Sequence, residues 1–302
     1  MNRYFKAFCI LSIITFFASC KKDDGANIAP PRDYGVQYAA EKDSIEKYLK
    51  MHYIVSVDED FNIEFAEIEE GSGEISIWDQ QDYPLQSKLV NSNEVDYTVY
   101  YLVLNEGVGE SPTRGDQILA SYRGILLDGT QFDYNPFPQD YSYLASTIEG
   151  WQEIIPLFKS GEYVDIPNDP NPAEFINYGA GVMFLPSGLA YFNGTPSSLV
   201  SPYDSMIFSF KLYDVEYADL DEDGILNKDE TADGIEISDY DTDEDEVPNY
   251  LDTDDDGDGY TTKREREIET TPEGEPAEYY DFEDIPTCPG GSLKRHLDPA
   301  CH

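Results

Sequence analysis

Positive charge is what this 302-residue chain has least of: 19 Lys+Arg stand against 62 Asp+Glu, for a formal net charge of −43. That balance repels nucleic-acid phosphates and anionic lipid headgroups and favours cations, so no nucleic-acid partner is expected. Long apolar runs are missing too. Ala7 to Phe17 is too short for a bilayer span, and no later segment reads as a transmembrane helix. Cysteine is rare, and Cys288 and Cys301, with His296 and His302 nearby, lack the CxxC or HxxxH spacing of a zinc site. No Ser/His/Asp or Cys/His set for nucleophilic catalysis stands out. What is present is 40% apolar residues, enough for a core, in a length that holds one or two domains plus extensions. The acids crowd the last third.

Residues 1–19 read as a targeting segment, with Arg3 and Lys6 as the basic region ahead of the apolar run. The run ends at Phe17-Ala18-Ser19-Cys20, which resembles a bacterial lipoprotein lipobox. That resemblance implies lipidation of Cys20, membrane attachment through the lipid, and a tether over 20–35. Cys20-Lys-Lys-Asp-Asp24 also resembles the surface-export signal of some Gram-negative lipoproteins. It implies an exported protein on the outer membrane, exposed at the outer leaflet. With Cys9 in the signal and Cys20 lipidated, Cys288 and Cys301 remain as an even pair in the 269–302 tail, where a disulfide is expected.

Residues 36–95 hold a predicted helix over 36–52, with Ala39, Ile45, Tyr48, Leu49 and His52 near one face. Short strand-like pieces follow at Ile54–Val57 and Ile75–Ile77. From Asp96 the texture turns to β. Tyr97–Leu104 is a strand. Asp116–Gly124 and Phe132-Asp133 flank Asp128-Gly129, a dipeptide that tolerates φ > 0 at both central positions of a tight turn. Ile148, Trp151, Ile154, Ile155 and Phe158 form a helical stripe that should end before Ser160-Gly161. Tyr163–Ile166, Gly181–Pro186 and Met206–Val215 complete the strands. Many strands around one short central helix give an antiparallel α+β domain over 96–217.

The residues here carry a family. Ser121-Tyr-Arg-Gly-Ile-Leu-Leu-Asp-Gly-Thr-Gln-Phe-Asp133 resembles the Tyr-x-Gly…Asp-Gly-x-x-Phe-Asp signature of FKBP-type peptidyl-prolyl cis-trans isomerases. In the family's order follow Thr147-Ile148-Glu-Gly150-Trp151, Leu189-Ala190-Tyr191 and Val200-Ser-Pro202…Met206-Ile-Phe208-Ser-Phe-Lys-Leu212. The resemblance spans 113–217. It implies Trp151 as the floor beneath a proline ring, Tyr122, Phe132 and Phe208 as walls, and Ile148 and Val200 at the rim. The Ile148 backbone N–H and the Tyr191 hydroxyl would hold substrate carbonyls, and Asp133 would orient a wall. The substrate would be the X–Pro bonds of exported proteins, and catalysis would need no cofactor. A further wall aromatic could be Tyr141 or Tyr143. Thr147 replaces an aliphatic residue, Ser201 replaces the first Pro of the flap, and about fifteen residues near Asn168–Ala180 are extra. Phe192 stands where the family has Gly, and so could pull on Tyr191 or crowd the mouth. The alternative reading is a non-catalytic, surface-anchored peptide- or protein-binding module.

In 218–268, Asp219, Asp221, Asp223, Asn227 and Glu230 fall at positions 1, 3, 5, 9 and 12 of a calcium loop, with Gly224 sixth. Asp254, Asp256, Asp258 and Glu265 repeat the pattern around Gly259. Between them Asp241, Asp243, Asp245 and Asp252 keep the register, with Glu246 for Gly. Val247-Pro-Asn-Tyr-Leu-Asp252 resembles thrombospondin type 3 repeats, which wrap Ca2+ with little protein core. Eleven of the twenty residues from Asp239 to Asp258 are acidic, so this segment needs cations to fold. A structural role for Ca2+, with little regular secondary structure, is the expectation.

Overall fold

The computed structural model describes residues 30–165, 174–232, 234–268 and 276–301. The expected targeting segment, Cys20, the first part of the 168–180 insertion and His302 lie outside them. Asp33–His302 is one compact unit, so the isomerase-like and acidic segments are not separate bodies.

Helix α1 (Tyr34–Met51) is capped by the Asp33 carboxylate, which accepts the Val36 N–H at 2.9 Å. It buries Ile45, Tyr48 and Leu49, spaced to share one face. Ala39 is exposed instead, and Tyr38, Gln37 and Glu41 take the buried positions. His52 leaves the helix to open strand β1 (His52–Val57), which pairs with β2 (Ile63–Glu67). Ile75–Ile77 is not a strand. Its Ile77 is fully buried, and its backbone bonds to the end of α1, through Ile77 N–H to the His52 carbonyl and Trp78 N–H to the Leu49 carbonyl.

The main sheet contains β3 (Gln86–Ser92), β4 (Val95–Asn105), β5 (Gln117–Leu126), β6 (Gln131–Asn135), β7 (Ser142–Tyr143), β10 (Gly179–Leu185) and β11 (Met206–Glu216). Its order is β3-β4-β10-β11-β5-β6, with β7 also on β5, and every pairing is antiparallel. Strand β3 precedes the expected boundary at 96, so the sheet draws its edge from the N-terminal segment. Strand β10 is buried at every residue, as its unbroken apolar run requires of a central strand covered on both sides. On one face Phe208, Phe210, Met183 and Leu185 pack against helix α2 (Glu149–Ile154), which carries Trp151. On the other, Ile207, Leu102 and Phe184 pack against α1 and β1–β2. The result is the antiparallel α+β, FKBP-like arrangement. A short pair, β8 (Glu162–Val164) and β9 (Glu174–Ile176), lies beside it.

The β5–β6 connection differs from a two-residue turn. Gly129 has φ +85°, but Asp128 is not left-handed. The Leu126 carbonyl accepts the Gly129 N–H, and the Leu126 N–H donates to the Thr130 carbonyl, which makes a three-residue loop. The register then slips, with Gly124 opposite Asp133 and Ile125 opposite Gln131. Phe132 is therefore the extra residue of a β-bulge.

Among the described residues the acidic segment carries short turns at Asn227–Asp229, Ile237–Asp239 and Asn249–Leu251, and helix α3 (Thr262–Glu265). A Cys288–Cys301 disulfide closes the tail and consumes both thiols that a zinc site would need.

Candidate functional sites

The first site is a hollow of 580 Å³ whose lining includes Tyr122, Asp133, Ile148, Trp151, Tyr191 and Phe208. These residues come from β5, β6, the start of α2, the turn after β10, and β11. Trp151 lies edge-on to Tyr122 (5.2 Å between centroids, 83°) and to Phe208 (5.7 Å, 85°). Phe132 meets Phe208 edge-on at 5.5 Å and stands behind it rather than lining the hollow. The bulge explains how neighbours in sequence serve one site. Strict alternation would send Phe132 and Asp133 to opposite faces, and the extra residue re-aims them. The glycine of Tyr-x-Gly has a packing reason. A Cβ on Gly124 would stand 2.7 Å from Phe132 Cζ and 2.9 Å from Phe208 Cε1.

Polar groups complete the wall. The Tyr122 hydroxyl donates to Asp133 Oδ2 at 2.9 Å, while Asp133 Oδ1 accepts the Tyr134 N–H. Burial, reinforced by that hydrogen bond, pushes the Tyr122 phenol up to about 12. Burial, then the Asp133 charge, raises the Tyr191 phenol as well. Both hydroxyls therefore remain protonated donors at neutral pH. Ile148 is the N-cap residue of α2, and among the described residues its backbone N–H has no acceptor.

Several expectations change. Val200 is not at the rim: it is 4% exposed and belongs to the same core as Trp151. Neither Tyr141 nor Tyr143 lines the hollow. The Tyr141 hydroxyl bonds Asp214, and Tyr143, on β7, pairs with Gln117 of β5 and is exposed. Phe192 does not crowd the mouth. It has φ +49°, turns away, and stacks on Tyr34 of α1 at 3.8 Å and 11°. The described part of the insertion packs Phe175 on Tyr213, away from the hollow. Residues not singled out from the sequence also contribute. Ser146, Glu149 and Gln152 share the lining, and Gln152 Nε2 braces the approach to Trp151 by donating to the Thr147 carbonyl at 2.8 Å. From α1, the Glu41 carboxylate accepts the Ser187 N–H at 3.0 Å and so holds the turn that presents Tyr191. No local motif encodes that bond, whose partners are far apart in sequence.

The second site is the acidic segment, where the three loops share one hydrogen-bond grammar. The position-1 carboxylate accepts the position-6 N–H in each: Asp219 from Gly224, Asp241 from Glu246, Asp254 from Gly259. Position 6 is left-handed in all three, with Glu246 at φ +79°. Position 9 accepts the position-2 N–H: Asn227 from Leu220, Asn249 from Thr242, Thr262 from Asp255. Asn227 thus acts as a staple: its Oδ1 accepts the Leu220 N–H and its Nδ2 donates to the Gly115 carbonyl at 3.0 Å.

Carboxylates converge in three clusters: Asp221, Asp223, Glu230 and Asp255; Asp241, Asp243 and Asp245; Asp254, Asp256 and Asp258. Asp219 and Asp252 are not in them, and the Asp252 carboxylate accepts the Asp254 N–H. Glu265 lies near the third cluster. Burial, then the charges of Asp256 and Asp258, lifts it to about 8. In the first cluster burial and mutual repulsion lift Glu230 to about 10 and Asp255 to about 9. Buried oxygens of Asp221, Asp223, Glu230, Asp255 and Glu265 have no hydrogen-bond partner. An all-oxygen, multiply charged donor set of this kind suits a hard divalent cation such as Ca2+.

Known proteins resemble the chain in two ways. Residues 216–295 match a family model described as BamM C-terminal. The chain is 30% identical over 118 residues to the peptidyl-prolyl cis-trans isomerase Mip of Coxiella burnetii, covering 38% of this chain and 44% of that protein. It is 30% identical over 115 residues to a probable FKBP-type isomerase FkpA of Neisseria meningitidis, covering 37% of this chain and 36% of that protein. It is 26% identical over 121 residues to the outer membrane protein MIP of Legionella longbeachae, covering 39% of this chain and 44% of that protein. The chain thus spans less than half the length of these relatives. Among solved structures, FkpA of Escherichia coli aligns at 23% identity over 60% of each chain, with a TM-score of 0.36. Over somewhat more than a third of its length this chain is similar in sequence to FKBP-type peptidyl-prolyl isomerases.

Proposed function

We propose that the 580 Å³ hollow is the active site of an FKBP-type peptidyl-prolyl cis-trans isomerase acting on X–Pro bonds of exported polypeptides. The observation that carries this reading is the convergence of the Tyr122, Trp151 and Phe208 rings on one concavity that also presents Tyr191 and the Ile148 N–H. Rotation about X–Pro crosses a barrier of about 18–20 kcal/mol set by amide resonance, and no covalent bond need be made. The planar amide carries more charge separation than the twisted one. A dry aromatic site therefore disfavours the ground state more than the transition state. The proline ring would lie on Trp151. Donors at Ile148 and Tyr191 would take the flanking carbonyls, and Asp133 would hold the Tyr122 ring in place through its 2.9 Å hydrogen bond.

The acidic loops would bind Ca2+ in a structural role. Their buried, unpartnered carboxylates support this, since unpaired negative charge of that density disfavours folding without cations. Lipidation at Cys20 would hold the protein on the outer membrane, in keeping with the outer-membrane name of the Legionella relative. Among the described residues no helix is long and apolar enough to cross a membrane.

Isomerisation of a short X–Pro peptide, followed for the native chain, Trp151→Ala and Tyr191→Phe, tests the catalytic reading. A fall of about tenfold or more in Trp151→Ala, with a smaller one in Tyr191→Phe, is expected. Equal rates in all three, or none above the uncatalysed rate, would leave a peptide-binding module.

A further inference from the structure

We propose that the cation site of the first acidic loop is composite: Asp255 of the third loop completes it, so that filling it locks the first and third loops together. The inference rests on the reading that these loops bind Ca2+ and adds a ligand that the loop pattern does not contain.

Loop ligands are expected at the odd positions 1, 3 and 5, and Asp255 is at position 2 of its loop. Its counterparts are Leu220 and Thr242, which offer no carboxylate. Asp255 is nevertheless 2% exposed, and neither of its carboxylate oxygens accepts a hydrogen bond. The Thr262 hydroxyl beside it is engaged by the Asp255 backbone N–H, at 3.2 Å. One oxygen each of Asp221, Asp223, Glu230 and Asp255 lies within 4.8 Å of the others.

The division of labour within these side chains is informative. Asp221 Oδ1 accepts the Asp223 N–H and Asp223 Oδ1 accepts the Ile225 N–H, while the second oxygen of each is buried without a partner. Glu230, 4% exposed, has both oxygens buried and unpartnered. Six carboxylate oxygens of these four residues are therefore buried without a partner, and one from each residue converges on the same point. The neighbouring cation does not answer that need. Arg266 Nη1 donates to the Asp223 carbonyl and Nη2 to the Tyr280 carbonyl, so both bonds go to backbone. Among the described residues no ion pair involves these four acids. Ca2+ accepts six to eight oxygens in a flexible geometry, including bidentate carboxylates. The site thus takes three carboxylates from the first loop and one from the third, and it skips the second loop. Because Asp254 and Asp256 belong to the third loop's own cluster, the two sites share a backbone and should fill cooperatively.

The test uses the whole disulfide-bonded chain, stripped with chelator and titrated with Ca2+. It measures bound ion by equilibrium dialysis and protease resistance of the acidic segment. Asp255→Asn removes the charge without changing shape, and Glu222→Gln removes an equal charge from an exposed position in the first loop. Asp255→Asn should bind one ion fewer at concentrations that saturate the native chain, or need at least tenfold more Ca2+ for protection. Glu222→Gln should shift less than twofold. Native Ca2+ binding with Asp255→Asn unchanged would overturn the composite site and leave the calcium reading standing, as would equal shifts in both variants. If the native chain binds no Ca2+, the calcium reading itself falls. Asp255→Asn that fails to become protected even in saturating Ca2+, yet binds the native number of ions, would also overturn the proposal, since it would make Asp255 a folding residue and not a ligand.

Discussion

Replacing Phe192 sets two opposed terms against each other. Its left-handed backbone, at φ +49°, costs an L-residue about 1–2 kcal/mol. Its ring, 8% exposed, is stacked on Tyr34 and edge-on to Tyr203 at 5.1 Å. Truncating a buried Phe costs about 3–5 kcal/mol. Burial therefore outweighs strain, which is why a side chain is tolerated where glycine would be expected. Phe192→Ala keeps the strain and loses the ring, so it should cost about 3–4 kcal/mol. Phe192→Gly loses the ring but relieves the strain, less about 0.5–1 kcal/mol for its freer unfolded chain. It should therefore be the more stable of the two by about 1 kcal/mol, the reverse of the order at an ordinary helical or strand position. Urea midpoints at constant m read the difference. An Ala variant at least as stable as the Gly variant would refute the strain argument. Because Phe192 does not line the hollow, both variants should isomerise X–Pro peptides at the native rate while folded. A tenfold loss would place the residue in the site after all.

Two further outcomes follow from the geometry. Gly124→Ala drives a methyl against Phe132 and Phe208, overpacking that should cost about 1–3 kcal/mol and displace the Phe208 wall; a variant as stable and as fast as the native chain would show that the two rings are not jointly packed over this backbone. His296 is 2% exposed, and burial, then the charges of Lys294 and Arg266, lowers it to about 4 from an ordinary 6.5. The folded state prefers the neutral ring, so the stability it contributes is intact above pH 6.5 and is lost as pH falls through 4. Denaturation at pH 7 and pH 4 should show about 3 kcal/mol more loss in the native chain than in His296→Leu, and parallel losses would remove His296 as the cause.

The strands and the central helix were legible because their signals are local. An apolar run fixed β10, alternation marked β4 and β11, and the Trp151 stripe marked α2. Tyr122, Trp151, Tyr191 and Phe208 line the hollow and Phe132 backs it, because each motif is short and the sheet register brings the motifs together. What failed was non-local. Val200 looked like rim by motif order, yet its burial depends on how the flap closes over the core. Tyr141 and Tyr143 were indistinguishable in sequence because the choice turns on a distant Asp214 and on pairing with β5. Phe192 looked obstructive because the helix that receives it lies far upstream.

The acidic third shows the same division more sharply. A spacing of Asp-x-Asp-x-Asp determines loop shape because each carboxylate first closes a bond to a backbone N–H two to five residues on, and those bonds are local. The spacing does not say which oxygens remain for a ligand. Asn227 satisfies the ligand pattern and is hydrogen-bonded to Leu220 and Gly115, whereas Asp255 breaks the pattern and is left buried with both oxygens open. The Asn227 bond also joins the extension to the strand entrance beside Asp116, whose carboxylate accepts the Ala218 N–H at 3.0 Å. Loop order and sheet edge are thus tied by two buried polar contacts at the junction. If the first loop takes up the proposed cation, ordering that loop would also fix Asn227 against the isomerase-like sheet, through the same contacts that run within the single unit Asp33–His302.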